Sequence, residues 1–359
     1  MRLRLTLAAI LVVGIATACQ LIAGIGDKTL WDGAVIDNPC GTSDLPVLPT
    51  NNPDDTVKNT YVTALSKIYL GSSDGGPYYG FNLDKTCTCQ GQLDSCIRGT
   101  PDASPLCDDD GGIDNYARRA FEAINTLVPD GGVITETRFN TALASGLSGA
   151  VIQVSNYNGL ADDKAVTVTI YGSQGYAGFV ADGSAPKLDG NDSWIVDPGS
   201  APGQYRVDDA YVTNYTLVAT GLNFPIIVGS AITQPVLIQL DEGVIRANIS
   251  VAGPKMTITN GVLGGRWDPA KFLPSLAPVP DPIFGGYLCG DADITYQLLK
   301  KDICAATDIN RSSSGDGKGA CNSVSMGLGF EAVPAVKGPV GPPVDAGQPC
   351  GPTWTDSCN

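Results

Sequence analysis

The chain contains no histidine. That absence removes Ser-His-Asp and Cys-His catalysis, histidine-ligated metals and haem held by histidine. Basic residues are scarce too: 22 Lys and Arg stand against 37 Asp and Glu, a formal net charge of −15. Such a surface repels nucleic acid and anionic headgroups, so no nucleic-acid partner is expected. Acidity also suits solubility and divalent cations, and solubility is the plainer explanation. After the N-terminal run, no stretch of bilayer-spanning length is free of Gly, Pro or charge. There is no internal repeat, and Gly315-Asp-Gly-Lys-Gly319 has the wrong spacing for a P-loop.

What is present begins at the N-terminus. Arg2 and Arg4 precede an apolar run over residues 5–15, followed by Ala16-Thr17-Ala18-Cys19. The run suits a signal peptide over residues 1–18, cut after Ala18. The last four residues resemble the lipobox of bacterial lipoproteins, with Ala16 where Leu usually stands. The resemblance implies lipidation of Cys19 and a membrane partner reached through acyl chains, each buried CH₂ adding about 0.8 kcal/mol. A plain secretory signal would instead leave Cys19 for a disulfide. Parity favours the lipid, because removing Cys19 from eleven cysteines leaves an even set. That set is Cys40, Cys87, Cys89, Cys96, Cys107, Cys289, Cys304, Cys321, Cys350 and Cys358, expected to pair in an oxidising compartment. A zinc site at Cys87, Cys89, Cys96 and Cys107 is the weaker reading for an exported chain. Cys87 and Cys89 share a face of an extended segment, so each is expected to bond elsewhere, with Cys96 and Cys107 nearest. Cys40 is available to the group of Cys289, Cys304 and Cys321, and Cys350–Cys358 is the simplest remaining pair. Spacing leaves the connectivity open.

Along the chain, residues 115–128 carry apolar positions at helical spacing, with Asp114 a natural N-cap. Residues 291–306 form a second helical stretch, acidic first and basic later. From residue 150 onward, short segments of strand composition alternate with turn residues. The expected fold is mainly β: an antiparallel β-sandwich, jelly-roll or lectin-like, with two or three short helices and disulfides. The expected organisation is a tether over 19–55, a Cys-rich N-terminal part of the domain over 56–115, the sandwich over 116–333, and a Pro/Gly-rich tail over 334–359.

Three groups of residues could carry chemistry. Asp108, Asp110, Asp114 and Asn115 form an acidic, Gly-containing loop ahead of a helix, similar to the acidic loops of thrombospondin type 3 repeats. Ca²⁺ takes six to eight oxygen ligands, and Asp84 or Asp74 would complete such a site. The alternative is a solvated turn. Asn156, Tyr157, Asn158, Asp162 and Asp163, with Trp194, combine amides, acids and aromatics in a way that suits a glycan. Tyr157, Trp194, Tyr205 and Trp267 form a stacking platform on that reading and ordinary core on the other. The acid pairs Asp162-Asp163, Asp208-Asp209 and Asp241-Glu242 meet the minimal requirement of a glycoside hydrolase, as scattered surface acids do by chance.

Four motifs stand out besides: Gly24-Ile-Gly-Asp-Lys-Thr-Leu30 after the anchor, Gly80-Phe-Asn-Leu-Asp84 with Cys87-Thr-Cys89, Asp-Gly-Gly-Ile-Asp-Asn115, and Asn260-Gly-Val-Leu-Gly-Gly-Arg-Trp267. Together they resemble uncharacterised surface lipoproteins of myxobacterial-type Gram-negative bacteria. The resemblance implies an outer-membrane or cell-surface location and no particular activity. The leading expectation is a non-enzymatic structural, adhesion or ligand-binding module whose partner is a glycan or another surface protein. A calcium-dependent carbohydrate-binding protein is second, and a carboxylate-based hydrolase third.

Overall fold

The computed structural model describes residues 40, 45–50, 56–71, 77–99, 104–127, 134–228, 236–277, 279–281, 283–289, 293–343, 350 and 355–358. The signal segment, Cys19 and most of the tether lie outside these residues, as does Asp74. Ten strands follow in chain order: β1 (Asn59–Tyr69), β2 (Gly149–Tyr157), β3 (Asp163–Tyr176), β4 (Ser193–Val196), β5 (Arg206–Thr213), β6 (Thr216–Val228), β7 (Val236–Ala252), β8 (Lys255–Trp267), β9 (Val324–Pro334) and β10 (Val336–Val340). The helices are α1 (Tyr116–Leu127), α2 (Glu136–Ser145), α3 (Ala177–Asp182), α4 (Pro269–Phe272) and α5 (Ile294–Ala305).

Eight of the strands form a closed antiparallel barrel, in the order β1-β2-β3-β5-β6-β7-β8-β9 and back to β1. This corrects the expected sandwich. The closing contact is β3 with β5, from Asp163↔Val212 to Thr169↔Arg206, at the edge a sandwich would leave open. Long strands allow it: β7 runs 17 residues and β3 14. Register shifts bend them where the wall curves, as between Leu222 and Phe224 or Asp241 and Val244. Past Ser173 the far end of β3 leaves the barrel to pair with β4, which β10 joins in parallel.

Alternation along each strand sorts side chains into two cores. Inward residues such as Ile152, Ile170, Leu263 and Phe330 belong to one large cluster in the barrel. The outward row Ala64, Val151 and Tyr171 packs under the β4–β10 flap with Trp194 and Val196. The β5–β6 hairpin turns on Asn214 and Tyr215, both at positive φ (47° and 58°), the conformation a two-residue turn needs to match strand twist.

Five disulfides tie the barrel's extensions to it: Cys40–Cys87, Cys89–Cys107, Cys96–Cys321, Cys289–Cys350 and Cys304–Cys358. Cys87 and Cys89 do bond to different partners, and Cys107 takes Cys89. The Cys350–Cys358 pair does not form, because each sulfur reaches a different segment: the loop at Cys289 and the last turns of α5. The expected C-terminal tail is tied to the rest of the chain through β10, these two bridges, and Asp356, which pairs with Lys300 and accepts from the Tyr296 hydroxyl. The Cys-rich stretch supplies a barrel strand, β1, and Cys96 is bonded across 225 positions to Cys321. Replacing Cys96 and Cys321 together by serine is expected to lower stability by about 2–5 kcal/mol, measured by urea unfolding, with the other four bridges intact in a non-reducing peptide map.

Candidate functional site

Two features concentrate unusual physics: an acidic cap over one part of the barrel, and an apolar cavity within it. The cap is built by the loop between Cys107 and α1. Asp109 and Ile113 pair across a tight turn in which Gly111 and Gly112 sit at positive φ (82° and 70°). Asp114 is then buried (2% exposed) and accepts N–H bonds from Leu83 (2.6 Å) and Asp84 (3.3 Å). Asp108 accepts from the Thr88 N–H at 2.6 Å. Asp308, far along the chain, accepts from the Ser325 N–H (2.7 Å) and hydroxyl (2.5 Å). Asp84 accepts from the Thr86 N–H at 2.8 Å.

These four carboxyls oppose one another inside a poorly solvated cap. Burial pushes Asp108 up to about 7, aided by the charges of Asp84 and Asp308. Burial likewise lifts Asp308 to about 7 and Asp114 well above the carboxylate range. Asp84 is raised by burial as well. Backbone N–H bonds pull the other way in each case without prevailing.

The expected calcium residues thus divide. Asp108 and Asp114 come together with Asp84, and Asp308 joins them unforeseen. Asp110 is exposed and stands apart. Asn115 is a clamp: its amide donates to the Tyr79 and Gly327 carbonyls (2.8 and 2.9 Å) and accepts from the Gly327 N–H (3.0 Å). Asp114 does not cap α1, because the Ser325 hydroxyl accepts the Tyr116 N–H instead (2.9 Å). The cap carboxyls feel one another's charge, yet among the described residues no three His, Cys, Asp or Glu side chains stand close enough to share one metal ion.

The expected glycan residues lie in one turn, except for Trp194. Asn158 and Asp163 spend their polar groups on their own turn: the Asp163 carboxylate accepts from the Asn158 N–H (2.8 Å), and the Asn158 amide donates to the Asp162 carbonyl (2.9 Å). Asp162 accepts from the Asn214 N–H (2.9 Å), and the Asn156 amide donates to the Thr167 hydroxyl (3.2 Å). Tyr157 is buried and its hydroxyl donates to the Leu160 carbonyl (2.5 Å). Trp194 pairs with Tyr176 at the other end of β3, about 40 Å along the strand from Asp163. Trp194 and Trp267 are fully buried, so the four aromatics form no exposed platform. Of the remaining acids, Asp208 is engaged by Arg206, Asp241 by Lys271, and Glu242 by Arg266 and Ser313, while Asp209 is exposed to solvent.

The second feature was not foreseen. Seven of the eight barrel strands, all except β5, and α2 surround a cavity of about 70 Å³. Its walls are Leu, Ile, Phe, Ala and Gly side chains, and Ser148 supplies the only hydroxyl. No charged side chain lines it. Water needs two to four polar partners to stay in such a place, so this cavity is unsuited to hold it. Cores rarely keep apolar spaces larger than a water molecule, since a sealed void of about 70 Å³ would cost roughly 2 kcal/mol at about 24 cal/mol per Å³. Ala150 and Gly172, paired across β2 and β3 on the inward face, make the room as small residues in strand segments that the sequence otherwise marks only as β.

The acidic cap has a testable consequence. Carboxyls raised from 3.8 toward 7 hold protons in the folded chain that the unfolded chain releases. The cluster's contribution to stability is therefore greatest on the acid side and falls as pH rises from about 4 through about 7, each group contributing a slope of up to about 1.4 kcal/mol per pH unit. Asp308→Asn is expected to flatten that fall and to raise the melting temperature at pH 8 relative to the parent. Urea unfolding at closely spaced pH values checks both; identical slopes in parent and variant would remove Asp308 from the cluster's titration. No family model matches the chain, and neither a curated protein nor a solved structure matches it.

Proposed function

We propose that the protein is an exported, lipid-anchored ligand-binding module of a Gram-negative outer membrane or cell surface, allied to the uncharacterised surface lipoproteins its motifs resemble. The observation that carries this reading is the apolar cavity kept open inside a closed barrel whose extensions are pinned by five disulfides. Eight-stranded barrels are just wide enough either to fill with side chains or to hold one small ligand. Here side chains leave the space unfilled at a cost in stability that a ligand would recover. The disulfides support an oxidising compartment, and the Ala16-Thr17-Ala18-Cys19 sequence supports the anchor. The structure offers no comparable support for catalysis, since most of the candidate carboxylates are engaged in ion pairs or turns. A calcium-dependent glycan site is also less favoured, because Trp194 is buried at the far end of β3 from the Asn156–Asp163 turn.

Intact-mass measurement of the protein purified from membranes tests the reading. The expected species begins at an acylated Cys19, has no free thiol, and releases a small molecule when denatured in organic solvent. An unmodified Cys19 would overturn the anchor. Native protein that neither releases nor takes up any small molecule would overturn the ligand-binding role.

A further inference from the structure

The cavity lies beside a gap in the barrel wall. β1 pairs with β2 only over residues 59–64, whereas its pairing with β9 runs over residues 63–69. From Leu65 onward, the β1 edge that faced β2 has no strand beside it. Helix α2 lies there instead and replaces the missing ladder with side chains. The Asn140 carbonyl oxygen accepts the Ile68 N–H (2.8 Å), and its amide donates to the Ile68 carbonyl (2.9 Å). One turn earlier, the Glu136 carboxylate accepts the Leu70 N–H (3.0 Å). Ile68 and Leu70 are two apart, so their backbone groups point to the same side, and α2 reads that edge as a neighbouring strand would.

The same helix faces the cavity. Phe139 and Leu143 line it from α2, Leu65 and Ile68 from β1, and Gly149 and Ala150 from β2. The thinnest part of the wall is thus closed by one ten-residue helix. On this edge three hydrogen bonds stand where a β-ladder would add a bond for each paired group. The helix itself is well defined at both ends: the Thr135 hydroxyl accepts the Arg138 N–H, and Gly146 at φ 81° closes the C-terminus. It can therefore move as a unit without first unravelling.

We infer that this cavity takes an uncharged aliphatic group, such as the end of a single hydrocarbon chain, admitted through the β1–β2 gap by displacement of α2. The inference rests on the ligand-binding reading above and names its ligand class and entrance. A charged group is excluded, because nothing in the lining would pair with it and burial without a partner is prohibitive. The one polar group the lining serves is a hydroxyl or carbonyl within reach of Ser148. The narrow volume favours one chain end over a branched or fused-ring ligand.

The experiment uses the full chain with 1-hexanol as probe and hexanoate and hexylamine as charged counterparts at pH 8. Binding is followed by methyl resonances of Ile68 and Leu143 and by melting temperature. 1-Hexanol is expected to shift those resonances and raise the melting temperature at concentrations at least tenfold below either charged compound. Leu143→Phe, which fills the cavity, is expected to abolish the effect while the far-ultraviolet spectrum stays that of the parent. The entrance is tested separately. Asn140→Ala is expected to speed probe association and dissociation together by about tenfold, with the equilibrium affinity changed less than twofold. Should that variant not fold, amide exchange in the parent serves: the Ile68 and Leu70 amides should exchange faster than those of β7 and slow when 1-hexanol is added. Binding with unchanged rates and exchange would overturn the α2 entrance and keep the cavity. Equal binding of charged and uncharged probes would overturn the ligand class. No binding of any probe would overturn both the inference and the cavity's role as a ligand site.

Discussion

A β-strand in a wall needs a neighbour on each side, and in this protein the pairing of β3 with β5 supplies the last one. Without it the sheet would end in two exposed edges, each a template for unwanted pairing. With it the inward faces of eight strands enclose one core, and the outward row on β1 to β3 is left for the β4–β10 flap to cover. The division of β3 follows from the same constraint. Its first half has to close the barrel, so only its second half is free to carry the flap. The unequal overlap of β1 with its two neighbours leaves a gap, and that gap is where α2 and the cavity are found.

The cap shows a different balance. Four carboxyls gathered with little solvent are unfavourable as anions, and burial lifts their proton affinity accordingly. The segment is held nonetheless by covalent and ionic ties. Cys40–Cys87 and Cys89–Cys107 cross-link its loops, and Cys96–Cys321 joins it to the segment before β9. Nearby Arg266, 1% exposed, pairs with Asp316 and donates to the Leu83 and Asn310 carbonyls. A buried guanidinium with this many acceptors is fully engaged, so it organises the Gly- and Ser-rich loop around Asp316. The Asn260–Trp267 motif therefore contributes a positioning cation as well as a strand.

Parts of this arrangement were legible in the residues. The helical spacing of Ala117, Ala120 and Phe121 corresponds to α1, whose three side chains are buried. The alternating runs near residues 151, 165 and 244 lie in β2, β3 and β7. Asp108, Asp114 and Asp84 were grouped by proximity in sequence, and the fold does gather them. Other parts were hidden for identifiable reasons. Asp308 reaches the cap only because β9 brings Ser325 beside it. Helix α2 has a weak apolar stripe, since Phe139 and Leu143 alone face the barrel while Glu136 and Asn140 spend their polar groups on β1. In the 17-residue β7, Asp241 and Glu242 interrupt the apolar pattern at a bend, so its continuity is not visible in the residues.

By itself the sequence determined the acidic, histidine-free chemistry, the even cysteine set beyond Cys19, and the prevalence of strands. These are properties of composition and short-range spacing, which need no partner in space. The tertiary structure decided barrel over sandwich, the five cysteine partners, the separation of Trp194 from the Asn156–Asp163 turn, and the cavity under α2. Each of these depends on which distant segments meet. Alternation assigns a residue to a face but does not say whether the last strand finds the first, and only that closure creates an inside for a ligand to occupy.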